Sequence, residues 1–102
     1  MIKLERDQKF NIHLEEMDGY SMEEYNFEVE VFVFENKRKK YLKSEMTKVD
    51  KDNYLLPMEY EDALPLGKGR LNFLINAEIP DADFPDGIRN EPVLICTEIM
   101  NI

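Results

Sequence analysis

Apolar and polar residues alternate along most of this chain with a period of two, the pattern of strands with one buried face. In KFNIHLE, residues 9–15, Phe10, Ile12 and Leu14 share one face, while Lys9, Asn11, His13 and Glu15 share the other. Asp18-Gly19 follows as a tight turn. FEVEVFVFE, residues 27–35, is the strongest strand: Phe27, Val29, Val31 and Val33 line one face, and Glu28, Glu30, Phe32 and Phe34 the other. That second face changes from acidic to aromatic halfway along. Half of it therefore needs cover, from the domain itself or from a partner.

Further along, NKRKK reads as a polar turn, YLKSEMTKV as a weaker strand or a pair of short strands, and DKDN as another turn. YLLPM is a short strand whose Pro57 places it at a sheet edge. EYEDALPLGKG holds one helical turn before Pro65, then a glycine turn at Gly67 and Gly69. RLNFLINAEI keeps Leu71, Phe73, Ile75 and Ala77 in phase, and after the PDADFPDG loop PVLICTEI is the last strand. Short strands at close spacing, with no helical period and no internal repeat, predict an all-β fold. The natural packing is an antiparallel immunoglobulin-like β-sandwich of about seven strands. Residues 1–102 form it as a single domain, with a small barrel as the alternative.

Composition narrows the class. The 102 residues are 43% hydrophobic and 34% charged, which suits a thin sandwich with much solvated surface and argues against a disordered chain. No run of about 18 apolar residues exists, so no membrane partner is expected. The N-terminal residues lack the apolar core of a signal peptide. Cys96, the one cysteine, lies in the apolar run VLICT and reads as a buried, inert thiol. A net charge of −9 argues against a nucleic-acid partner. The charge is uneven: residues 37–51 carry seven basic side chains and two acids, residues 5–35 ten acids and two basic side chains. Such a dipolar surface orients docking partners; a lysine-rich hairpin also blunts edge pairing.

Candidate chemistry is sparse. Asp81, Asp83 and Asp86 suggest a calcium loop, but a loop starting at Asp81 puts Pro85 at position 5 and Pro92 at position 12, where ligands belong. Asp-Ala-Asp and Pro-Asp-Gly are also ordinary turn chemistry. His13, the only histidine, falls on the polar phase of its strand, and no cysteine or histidine cluster offers a metal site. Ser21 and Ser44 lack a histidine partner and a nucleophile elbow. Glu15-Glu16 and Glu23-Glu24 read as solvated pairs, and GKGR, residues 67–70, lacks phosphate-loop spacing. The tyrosines at 20, 25, 41, 54 and 60, with no tryptophan, are a weak basis for a sugar platform. No catalytic residue, metal ligand or cofactor is expected, and the chain reads as a binding or structural module.

Four segments carry a resemblance: FNIHLEEMDG, SEMTKVDKDNYLLPM, LPLGKGRLNFLINAEIPDADFPDG and EPVLICTEI. Together they resemble the small immunoglobulin-like structural proteins of tailed phages and prophages of gut Bacteroidales. Those are described as head-fibre or baseplate proteins, with a domain like the N-terminal domain of baseplate upper proteins. The most specific parts are L-G-x-G-R-L at residues 66–71 and I-P-D-x-D-F-P-D-G at 79–87. The family commonly has proline between the two glycines, where this chain has Lys68. The resemblance implies a non-enzymatic virion structural protein, present in the virion and in the host cytoplasm during assembly. Its partners would be other virion proteins, as a homo-oligomer or with a fixed protein partner. It implies a structural role for the aspartate loop. With the chain ending at Ile102, it implies the attachment or adaptor part alone. The runner-up is a soluble module binding carbohydrate or a cell-surface ligand. Phe32 and Phe34, with Lys37, Arg38, Lys39 and Lys40 beside them, are the expected protein interface.

Overall fold

The computed structural model describes residues 2–101. The described residues form eight strands and one short α-helix: β1 (Ile2–Leu4), β2 (Gln8–His13), β3 (Asn26–Phe32), β4 (Arg38–Leu42), β5 (Thr47–Asp50), β6 (Asn53–Met58), α1 (Tyr60–Ala63), β7 (Gly69–Pro80) and β8 (Ile88–Asn101). They form a curled five-stranded sheet, ordered β1-β8-β7-β3-β4, and a three-stranded antiparallel sheet, ordered β2-β6-β5. The fold is thus mostly β, as the alternation predicts. The large sheet is mixed rather than purely antiparallel, because β1 runs parallel to β8, pairing Ile2–Leu4 with Ile99–Asn101.

The core lies between the sheets. Phe27, Val29 and Val31 of β3 and Leu71, Phe73, Ile75, Ala77 and Ile79 of β7 are buried in strict alternation. The small sheet answers with Ile12, Tyr54, Leu56 and Met58. Aromatic pairs join the layers: Phe10 meets Phe73 at 5.5 Å between ring centres, and Phe27 meets Tyr54 edge-on at 5.2 Å.

Several local expectations are corrected. β3 ends at Phe32, so Val33 and Phe34 belong to the turn that follows, and β4 starts at Arg38 inside the expected NKRKK turn. YLKSEMTKV is the pair of short strands, one of its two expected forms, divided by a 3-10 turn at Lys43–Glu45. β6 is the central strand of its sheet, not an edge. Proline is tolerated there because β5 pairs only with residues 53–55, so Pro57 has a neighbour on the β2 side alone. Cys96 is exposed: on β8 the inner phase is Val93, Ile95 and Ile99, and Cys96 shares the outer phase with Leu94. His13 is exposed, as its phase predicts, with Nδ1 3.1 Å from Asn53 Oδ1.

Buried phenols give the fold a pH limit. Tyr25 and Tyr41 are 1% and 4% exposed. Burial pushes Tyr25 from 10.0 up to about 12, with the Asp52 charge adding to it. Burial also raises Tyr41, helped by Asp62, whose carboxylate lies 3.5 Å from its hydroxyl. The native state therefore keeps these protons after the unfolded chain has lost them. Stability is expected to hold up to about pH 10 and to fall as pH rises from there toward 12. Urea unfolding across that range checks it; a midpoint constant up to pH 12 would place both hydroxyls in water.

Candidate docking surface

Phe32 and Phe34 prove to have different environments. Phe32 is 8% exposed and is covered from within the chain. The Arg38 guanidinium lies 4.3 Å from its ring centre, held there by Glu30 Oε2 at 2.8 Å and the Glu35 carbonyl at 3.0 Å. Phe34 is 54% exposed.

Phe34 is nevertheless held in place from below. A Cβ on Gly67 would stand 2.8 Å from the Phe34 ring, and one on Gly69 would stand 2.7 Å from Val33 Cγ1. Both glycines have positive φ, 97° and 145°. The glycine pair after α1 is thus the floor on which the end of the β3–β4 hairpin rests. This gives L-G-x-G a physical purpose: left-handed backbone and no side chain, so that two apolar side chains lie directly on the main chain.

Beside this floor an open groove of about 500 Å³ runs between the hairpin and α1, lined by Lys37, Arg38, Lys39, Glu61, Asp62 and Pro65 among others. Leu64, next to Pro65, is 55% exposed. Lys37 and Lys39 make no ion pair among the described residues, whereas Arg38 is engaged by Glu30 and Lys40 lies 3.4 Å from Glu28. Of the six expected interface residues, Phe34 and Lys37 are exposed, and Lys39 is half-buried with its Nζ 5.6 Å from the Tyr41 ring centre. Phe32 and Arg38 are stacked on each other, and Lys40 pairs away from the groove. The surface carries both signs of charge, because Glu61 and Asp62 of α1 face the lysines across it.

The aspartate loop lies at the far end of the long β7–β8 hairpin. Asp81 Oδ1 accepts from the Asp83 amide at 3.0 Å, and Asp86 Oδ1 accepts from the Ile88 amide at 3.1 Å. Arg89 then gathers three carboxylates. It donates to Asp81 at 2.6 Å, to Glu91 at 2.8 Å, and to Asp18 of the Asp18-Gly19 turn. These partners raise the guanidinium pKa further and lock the loop to the β2–β3 connection. Arg89 was invisible to motif reading; its only signal is a lone cation among acids. No group of three or more metal-ligating side chains occurs among the described residues. Tyr25, Tyr41 and Tyr54 are buried, so they offer no exposed ring platform. No helix among the described residues is long and apolar enough to cross a membrane.

No protein-family model matches this chain, and no curated protein or solved structure is significantly similar to it.

Proposed function

We propose that this chain is a non-enzymatic structural protein of a tailed-phage or prophage virion, a docking module of the head-fibre or baseplate-adaptor type. The observation that carries the reading is the seating of Phe34 on Gly67, beside Val33 on Gly69. The glycine turn that carries the family resemblance is the turn that presents an exposed aromatic ring. A ring already resting on the glycine turn loses less freedom when a partner covers it. Lys37 and Lys39 of the same hairpin, which make no ion pair among the described residues, orient an acidic partner surface. In this reading the two facing sheets are a variant of the immunoglobulin-like sandwich, with the large sheet curled further than usual. The virion, and the host cytoplasm during assembly, are its locations.

The test is co-sedimentation of the tagged chain with particles purified from the host. Phe34→Ser combined with Lys37→Glu and Lys39→Glu is expected to weaken association at least about tenfold. Covering the exposed half of a phenylalanine alone is worth about 1–1.5 kcal/mol. Unfolding midpoints are expected to stay close to wild type, since all three side chains are exposed or half-exposed. Undiminished binding by the folded variant would place the contact elsewhere.

A further inference from the structure

β8 is the longest strand, and most of one edge has no neighbour. β7 pairs with it on one side from Ile88 to Asn101. On the other side β1 covers only Ile99–Asn101, so among the described residues the edge from Ile88 to Glu98 is open. Long open edges are unusual unless charge, proline or a bulge protects them. Here Pro92 is one guard, but the stretch after it is Val93, Leu94, Ile95 and Cys96. Leu94 is 57% exposed and Cys96 is exposed. On the inner face, Phe73 and Ile75 of β7 are buried, yet their β8 partners Ile95 and Val93 are only partly so. The apolar face of the large sheet therefore continues onto β8 and is only partly covered there.

We infer that this edge pairs with the same edge of a second copy, antiparallel about a two-fold axis at Leu94. The inference stands independently of the virion reading. Its first support is register. Centred on Leu94, the pairing spans residues 90–98 in both copies, stops short of β1 and is regular from 92 to 96, because the β7–β8 register shifts beyond Cys96. It sets Val93 against Ile95 of the second copy on the inner face, and Leu94 against Leu94 on the outer face. Pro92 meets Cys96, Glu91 meets Thr97, and Asn90 meets Glu98. No like charges oppose each other. Centring on Val93 instead would set Glu91 against Ile95 and bury a carboxylate. The second support is backbone phase. A proline is accommodated in a strand when its missing N–H faces the open side. That leaves the Cys96 carbonyl of the second copy without a donor, one bond lost per copy, but the same phase aims the backbone groups of Leu94 at the edge, so the central residues of the two copies exchange both hydrogen bonds. The product is one continuous sheet with an isologous interface, in which each copy supplies the apolar cover the other lacks.

The closing experiment uses light scattering and disulfide trapping on the full chain. The wild type is expected to be a dimer at about 0.1 mM, strengthened by salt, because each copy carries −9. Leu94→Lys is expected to be monomeric with an unchanged circular dichroism spectrum. In the proposed register the two residues 94 lie about 5.5 Å apart between Cα atoms, within disulfide reach. The residues 96 are offset by four positions, about 13 Å along the strands. Leu94→Cys with Cys96→Ser should therefore cross-link on oxidation, while the native Cys96 should not. A monomeric wild type with no cross-link at position 94 would overturn the inference. So would a cross-link through Cys96, or open-ended oligomers weakened by salt, which would indicate pairing of β8 with the basic β4 edge.

Discussion

Replacing Lys43 with methionine is expected to lower stability by about 3 kcal/mol, an unusual loss for a lysine in a lysine-rich segment. Its ammonium donates to three backbone carbonyls, those of Met22 at 2.7 Å, Glu23 at 3.1 Å and Tyr25 at 2.7 Å. It also sits 5.4 Å and 5.6 Å from the ring centres of Phe27 and Tyr54. A hydrogen bond from a charged group contributes about 1.5–3 kcal/mol, and partial exposure reduces the sum here. Methionine keeps most of the stem's packing but leaves three carbonyls of the tight 22–25 turn without their donor. Burial lowers the Lys43 pKa, while the surrounding carbonyls and ring faces are acceptors suited to the charge. Lys48→Met is the control: its ion pair with Glu23 is about half exposed on both sides, and solvent-screened pairs of this kind add little to stability. Urea unfolding of the two variants should separate them clearly, and equal midpoints would show that the Lys43 contacts carry no net energy.

Gly69→Ala is expected to cost about 3–4 kcal/mol. At φ +145° an L-residue is strained, a penalty of about 1–3 kcal/mol, and its Cβ would also strike Val33 Cγ1 at 2.7 Å. Val33 packs against the core and has little room to retreat. Gly67→Ala is expected to cost less, about 2 kcal/mol, because the Phe34 ring it meets is half exposed and can swing outward. Gly87→Ala meets nothing within 4 Å and should cost about 1 kcal/mol from its φ of 75° alone. Thermal unfolding would rank the three. If Gly87→Ala proved as damaging as Gly69→Ala, the floor beneath the hairpin end would not be what the glycine pair provides. Gly67→Ala should also weaken docking, since it tilts the ring that the proposed partner covers.

Where a strand has one buried and one solvated face, its sequence shows it plainly. The alternation at 27–31 and 71–79 matches burial residue by residue, and the helical turn before Pro65 is where EYEDALPLGKG predicts it. The failures have physical causes. β1 is three residues long and owes its strand geometry to β8, so no local pattern announces it. Pro57 suggested an edge, yet a central strand can hold proline where its neighbour is shorter. Cys96 sits in a continuous apolar run, which hides the phase; only the pairing of β8 with β7 decides which side faces out. The site was half legible. Phe34, Lys37 and Lys39 do share one end, but Phe32 has its own guanidinium cover because β3 stops there and Arg38 folds back. Lys43 and Arg89 are spent on the fold itself, and a charge count along the chain cannot distinguish them from free surface cations.

The proposed role of this domain is docking within a virion, and quantitative mass spectrometry of gradient-purified particles from the host tests that role. This chain is expected in a constant ratio to the major particle protein across the gradient peak, with the Phe34→Ser, Lys37→Glu, Lys39→Glu variant depleted from that peak at equal expression. A chain found only in the soluble fraction, with particles forming normally without it, would rule that role out.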